Sequence, residues 1–277
     1  MISIIVCSRN NRNNSILEHI ISSTIGLKHE TIIINTAQGS HSIFSAYNLG
    51  ISQAKGDILC FMHDDICFHT NNWGRIVKDI FEDDSIGLLG VIGSKLLMSD
   101  VSWWLSGNTV GEYIQGANDK GIYHCSKEGK SINAIVEDVA LVDGFWFCMP
   151  KRVCNLIRFD NINYSGFHCY DLDISMQIHE IGKRVVVTTS ILIEHKSMGV
   201  LNASYYSQLD VFSKKWQSHL PIIIGNNTDI IDFDQYLSIL SSYQRSERKA
   251  NLIIRSHAYR IGSFLMKPVK LIKRLIK

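Results

Sequence analysis

A chain of 277 residues, 45% apolar and 19% charged, can bury the core of one large α/β domain with an appendage, and its low charge excludes a largely disordered chain. The net charge of +2 is uneven: ten Lys/Arg and one Glu fall within residues 245–277, leaving 18 basic and 25 acidic residues elsewhere. An acidic body with a basic tail is not a globular nucleic-acid binder with a basic face, and no nucleic-acid partner is expected.

Residues 2–7 form a short β-branched apolar run. It lacks a basic n-region and a long apolar core, so it reads as a buried strand rather than a signal peptide, and the expected location is cytoplasmic. Ser8-Arg9-Asn10 ends it. Ile16, Leu17, Ile20 and Ile21 give helical spacing over 15–25, and 31–35 is a second apolar strand. A helix over 42–54 follows, and Gly56-Asp57 opens a third strand at 58–62. Continuous apolar strands alternating with helices predict βαβ units and a mostly parallel, Rossmann-like sheet flanked by helices.

Further along, 73–81 reads as a helix, 86–92 as a strand and 94–135 as loops with short strands. Residues 140–149 form a strand-like run broken by Gly144, and 171–182 a helix. Strands are expected at 184–188 and 191–194, and a helix at 204–216. The pattern loosens near residue 225, which separates a domain over 1–225 from a helical C-terminal extension over 226–277. There, basic and apolar residues interleave over 245–277, and Pro268 divides them into two amphipathic helices. Such helices bind anionic membrane surfaces, and peripheral contact with the inner face of a membrane is expected. The plainer alternative is a helix packed on the acidic body. No apolar run approaches the roughly 20 residues that span a bilayer. Seven Cys at irregular spacing, without a CxxC pair, read as small buried hydrophobes in a reducing compartment.

Parallel α/β sheets bind ligands at the carboxyl ends of their strands, so the polar residues there carry the chemistry. The third strand runs directly into His63-Asp64-Asp65. Two adjacent carboxylates call for neutralisation, which a divalent cation such as Mg²⁺ or Mn²⁺ supplies; an Asp pair capping the next turn is the equal alternative. A second acidic cluster, Tyr170-Asp171-Leu172-Asp173, opens a helix. Its carboxylates do not share a helix face, so one can act as a general base in a cleft while the other caps or faces solvent. Glu194-His195 follows a strand and offers an imidazole to a metal, although a lone His is more often structural. In Asp143-Gly144-Phe145-Trp146, aromatic rings beside a Gly can stack on a sugar, or form a core strand with a bulge.

Each piece is weak; their order is specific. Cys7-Ser8-Arg9, Asn35, Asn48-Leu49-Gly50, Phe61-Met62-His63-Asp64-Asp65, Val142-Asp143-Gly144-Phe145, Gly166-Phe167-His168-Cys169-Tyr170-Asp171 and Glu194-His195 stand in sequence. The set resembles the family 2 glycosyltransferases of the GT-A fold, and most of all the glycosyltransferase-like subgroup typified by a streptomycin-biosynthesis protein domain. Gly93-Ser94-Lys95, Trp103-Trp104 and Phe212-Lys214-Lys215-Trp216 also fit that subgroup.

The resemblance implies transfer of a sugar from a nucleotide-diphosphate-sugar donor, with UDP-sugars favoured, to a glycan or lipid-linked acceptor hydroxyl, with inversion. It implies that Asp65 holds the metal, with His195 joining it and His63 standing where the wider family has Asp. Asp64, Cys7, Ser8, Arg9 and Asn35 match the donor-binding region. Asp171 matches the catalytic base, with Tyr170 replacing a Glu. Gly144, Phe145, Trp146 and His168 are the expected acceptor-binding residues. Two other readings compete: a nucleotide-sugar or carbohydrate-binding module in which the His63 and Tyr170 replacements have removed catalysis, and a metal-dependent phosphohydrolase. The phosphohydrolase needs further His ligands on helices, whereas His63-Asp64 follows a strand.

Overall fold

The computed structural model of the chain describes residues 1–9, 14–99, 102–106, 108–117, 121–126, 135–197, 202–225, 233–256 and 261. The first half alternates as the apolar runs demand: β1 (Ile2–Ser8), α1 (Asn14–Thr24), β2 (His29–Asn35), α2 (Ile43–Gln53) and β3 (Ile58–His63). Ser42 begins α2 by accepting a hydrogen bond from Ser45 N at 3.2 Å. Then come β4 (Ile66–Phe68), α3 (Trp73–Ile80), β5 (Ile86–Gly90), β6 (Ile92–Ser94), β7 (Leu96–Leu97), β8 (Thr109–Ala117) and β9 (Gly121–Ser126). The second half holds β10 (Glu137–Asp138), β11 (Leu141–Val142), β12 (Trp146–Pro150), α4 (Lys151–Cys154), α5 (Tyr170–Glu180), β13 (Arg184–Val187) and β14 (Ile193–His195). The remaining elements are α6 (Ala203–Trp216), β15 (Ile222–Ile223) and α7 (Phe233–Arg255).

Seven strands form the main sheet in the order β10-β13-β5-β12-β3-β1-β2. β2, β1 and β3 pair in parallel, as do β13 and β5, whereas β12 runs antiparallel between β3 and β5. β10 is also antiparallel, so the sheet is mostly parallel. β1 is buried along its whole length, with Ile4, Ile5 and Val6 fully enclosed. That explains its unbroken β-branched run: helices cover both faces of such a strand.

A smaller sheet runs β11-β6-β8-β14-β4, with β9 on β8. The chain passes between the two sheets seven times, after β3, β4, β5, β9, β10, β11 and β13. Two of these crossings split runs that the sequence presents as single strands. The expected strand at 86–92 divides at Val91 and that at 140–149 divides around Asp143-Gly144, because each half pairs in a different sheet. The 94–135 region, expected to be loops and short strands, contains the nine-residue β8. Gly111 and Gly116 weaken its strand signal, and its pairing with β6, β14 and β9 supplies what local preference lacks.

Beyond residue 225, α7 is helical for 23 residues. Arg248 forms a bidentate pair with Asp210 of α6 at 2.7 and 2.6 Å and lies over the Tyr206 ring, and Gln244 is buried. This stretch of the basic segment therefore packs on the body, while Leu252 and Ile253 remain exposed. The first of the two helices expected around Pro268 is thus helical through Arg255, and the second, beyond Pro268, lies outside the described residues. Among the described residues, no helix is long and apolar enough to cross a membrane.

Candidate active site

The crossings gather the site. β3 ends at His63 beside the end of β1, where Ser8 is fully buried. Ser8 Oγ donates to Asp64 Oδ2 at 2.7 Å, so this hydroxyl orients the first of the two adjacent carboxylates. Cys7 is buried, and burial, helped by the charge of Asp64, pushes its thiol up to about 12; it stays protonated. Asn35 ends β2 opposite Ser8, and its side chain accepts from Ala37 N at 2.8 Å. It shapes the turn that follows. Arg9 is exposed, with its guanidinium 5.6 Å from the Phe167 ring centroid.

Asp65 lies in the turn between β3 and β4, and its carbonyl accepts from Lys196 N at 3.0 Å just past β14. This bond brings His195 to the same place. His63 Nδ1 is 3.4 Å from His195 Nε2, His195 Nε2 is 3.4 Å from Asp65 Oδ1, and His63 Nδ1 is 4.0 Å from Asp65 Oδ1. Two imidazoles and a carboxylate from two different sheets thus point one ligand atom each at a common centre. Asp65 Oδ1 is buried there without a hydrogen-bond partner. A buried carboxylate oxygen facing two imidazole nitrogens needs a cation or protons between them, and the set fits a divalent metal. Burial opposes ionisation of Asp65, but His195, Ser197 and the charge of His63 outweigh it and hold the carboxyl below the usual range. Burial, then His195, lowers His63 to about 3, against the pull of Asp65, so its imidazole is neutral and able to ligate.

His63 Nε2, the nitrogen pointing away from this centre, lies 2.7 Å from Tyr170 Oη. With Nδ1 facing the cluster, Nε2–H donates to the phenol, which fixes tautomer and ring orientation together. The two positions that depart from the family pattern are therefore partners. Gly144 makes the arrangement possible: a Cβ there would stand 2.3 Å from Tyr170 Oη and 2.5 Å from Cζ. Phe145 stacks on His195 with centroids 4.9 Å apart. Gln115 of β8 donates to the carbonyls of His195 and Ser197 at 3.0 and 2.7 Å, clamping the segment that carries His195.

Asp171 sits in the first turn of α5, accepting from Gly144 N at 3.1 Å and from Leu172 N at 3.0 Å. Burial and the charge of Asp143 both raise its carboxyl above the ordinary range. Asp143 is raised as well, chiefly by burial, with Phe145 N and His195 acting against it. The charge of Asp143 is thus a second reason, after burial, that the Asp171 carboxyl holds its proton more tightly. Asp173, expected to cap the helix or face solvent if Asp171 entered the cleft, does neither. It is 1% exposed and receives Tyr164 Oη, Trp216 Nε1, Gln177 Nε2 and Lys215 Nζ at 2.8–3.1 Å.

The expectation that Phe145 and Trp146 offer ring faces to an acceptor is corrected. Phe145 is buried against His195, and Trp146 is fully buried against Phe68 and Trp73. Alternation along β12 turns the two rings to opposite faces, and both faces are covered. Gly144 serves Tyr170 rather than a ligand. His168 is half-buried, edge-on to Tyr205 at 5.5 Å. Asp143, Tyr170 and Gln115 join the site without being among the residues expected to bind or react there. A carboxylate inside the apolar run 139–149 was the available signal for Asp143; the other two carry none before the chain is folded.

The architecture is that of the GT-A class, a mostly parallel sheet with a metal-competent acidic and imidazole cluster at its carboxyl edge. The glycosyltransferase-like family matches residues 3–217, and the chain belongs to it. The streptomycin biosynthesis protein StrF of Streptomyces griseus is 30% identical over 168 residues, which cover 59% of this chain and 56% of that protein. The aligned region thus spans little more than half the length of that curated relative. The crystal structure of GalNAc-T7 with UDP, GalNAc and Mn²⁺ superposes with a TM-score of 0.52 at 11% identity, covering 95% of this chain and 58% of that one. The likeness is one of fold.

Proposed function

We propose that this protein transfers a glycosyl group from a nucleoside-diphosphate sugar, a UDP-sugar first among candidates, to an acceptor hydroxyl on a glycan or lipid-linked saccharide. The observation that carries this is the meeting of His63, Asp65 and His195 beside the Asp143–Asp171 pair at the carboxyl edge of the sheet. Asp65, His195 and His63 are the residues that would hold the metal. Two nitrogens and one oxygen suit Mn²⁺ better than Mg²⁺, which prefers oxygen ligands. When bound, such a cation neutralises the charge of the leaving diphosphate.

The chain's own residues supply the rest. Arg9 and Asn35 flank the end of β1, where the nucleotide would lie, and Asp64 is held by Ser8 to meet the ribose or sugar. Asp171 takes the proton of the acceptor hydroxyl as its oxygen bonds to the anomeric carbon and the bond to the diphosphate breaks on the opposite face, a single displacement with inversion. Its raised pKa makes it a better base than an ordinary Asp near neutrality. His168 stands on the acceptor side. The interleaved basic and apolar residues of 245–277 suit contact with an anionic lipid surface. Flotation with anionic liposomes tests that contact; equal recovery of the full and truncated chains sinks it.

A panel of nucleotide sugars, with Mn²⁺, Mg²⁺ or chelator, tests the main proposal. Release of nucleoside diphosphate with one donor, greatest with Mn²⁺ and lost in Asp171→Asn, is the expected result. Tight donor binding without turnover in the presence of acceptors would instead make the protein a binding module.

A further inference from the structure

The strands that present Asp65 and His195 carry a second cluster of metal ligands on their other face. β4 and β14 pair antiparallel, with His195 opposite Ile66, Glu194 opposite Cys67 and Ile193 opposite Phe68. Residues opposite one another share a face, and successive residues alternate. Ile66, Phe68 and Ile193 are buried, so that face turns inward and carries His195 with it. Cys67 and Glu194 therefore turn the other way. His69 lies two residues beyond Cys67 on the same side, its backbone N–H donating to Leu192 at 2.9 Å.

Cys67, His69 and Glu194 each offer one ligand atom, and the three atoms lie within 4.8 Å of one another. His69 Nε2 and Glu194 Oε2 are already 3.1 Å apart. Cys67 is a free thiol. Gly116 of the neighbouring β8 leaves room for the carboxylate: a Cβ there would come within 3.0 Å of Glu194 Oε1. A tetrahedral zinc ion with bonds of about 2.0–2.3 Å holds its ligand atoms roughly 3.3–3.8 Å apart, so side-chain rotations suffice to close the site.

We propose that Cys67, His69 and Glu194 form a second metal site that takes Zn²⁺. One thiolate, one imidazole and one carboxylate make a three-ligand set with a fourth position left for water. The sulfur selects zinc over the harder Mg²⁺ and Mn²⁺. The two sites differ in ligand softness and share the β4–β14 ribbon back to back. Zinc on the outer face ties β4 to β14 at the Cys67–Glu194 pair, one residue from the Ile66–His195 pair, and so fixes the spacing of Asp65 and His195. The site does not depend on glycosyl transfer and is tested without it.

The test is cobalt substitution of the metal-free full-length protein. Co²⁺ is expected to give a thiolate-to-metal charge-transfer absorption in the wild type and equally in His63→Ala/His195→Ala, which lacks the first cluster. Cys67→Ser is expected to abolish the band. His69→Ala and Glu194→Gln, which keep the thiol, are expected to weaken Zn²⁺ binding by more than the roughly 10–100-fold lost with a residue that only orients a ligand. A wild type without the band, a band surviving in Cys67→Ser, or unchanged zinc affinity in both other variants overturns the proposal.

Discussion

Tyr170 Oη lies 2.7 Å from His63 Nε2, which joins the first residue of α5 to the last residue of β3 across 107 positions of chain. Each departs from the pattern that the chain otherwise resembles. Together they hold the His63 imidazole in one orientation beside Asp65, while burial and His195 keep it neutral. Tyr170→Phe is expected to keep the fold and to weaken Mn²⁺ binding by roughly 10–100-fold, as loss of a ligand's orienting partner does. Mn²⁺ titration followed by electron paramagnetic resonance measures this, and unchanged affinity removes the pair from the metal site.

Gly144→Ala forces the Tyr170 ring aside, because the new methyl carbon would overlap its Cζ and Oη. Overpacking of this kind costs about 1–3 kcal/mol. Urea denaturation reads that loss, and Mn²⁺ affinity should fall with it, since the displaced phenol leaves His63. Loss of stability with full metal affinity would show that the ring moves without releasing the imidazole.

The Asp143–Asp171 pair fixes the pH response. Burial first, then the charge of Asp143, raises Asp171. Removing that charge in Asp143→Asn lowers the Asp171 pKa, so the acid limb of the transfer-rate profile should move to lower pH. The linkage to stability has the opposite sense from a salt bridge. A carboxyl raised in the folded state favours folding below its unfolded pKa, and this contribution is lost as pH rises through the folded value. Asp171→Asn should therefore lose transfer activity yet gain stability relative to wild type above that value. Thermal unfolding at acidic and mildly alkaline pH checks the crossover.

Asp173→Ala is expected to do the reverse. It strips four donors of their shared acceptor, of which Lys215 is exposed and Tyr164 and Trp216 are buried. A buried donor left without its acceptor costs roughly 1–3 kcal/mol. Transfer activity of the folded fraction should be retained, unlike in Asp171→Asn, which separates the structural aspartate from the one two residues before it.

Much of the fold was legible because its strands are continuous apolar runs. Residues 2–7 and 58–62 read as buried strands and are so, and the helices between them show their periods openly. Residues 31–35, which read as a buried strand too, form the sheet edge and are half-buried apart from the buried Ile34 and the exposed Asn35. β4 was not legible for a physical reason: its three residues cannot display a period, and its partner strand β14 lies more than 100 positions away. The metal residues could be named from their place after strands. Why His63 is tolerated could not, since Tyr170 meets it only through space. Trp146 misled because an exposed stacking platform and a core tryptophan look alike until both faces of β12 are known. Local sequence leaves Asp171 and Asp173 alike, and only the resemblance favours Asp171; their different partners appear only in the fold.

His63 belongs to the large sheet and His195 to the small one, with Asp65 at a crossing between them. Any ion held by all three would act as a rivet across that seam. The small sheet, held at this seam by the three-residue strands β4 and β14, should then breathe more readily there in the ion-free protein, and backbone amides of β4 and β14 would slow their exchange with solvent once the rivet is set. Occupancy of the centre would thus be audible in the hydrogen-exchange rhythm of strands that never touch the sugar.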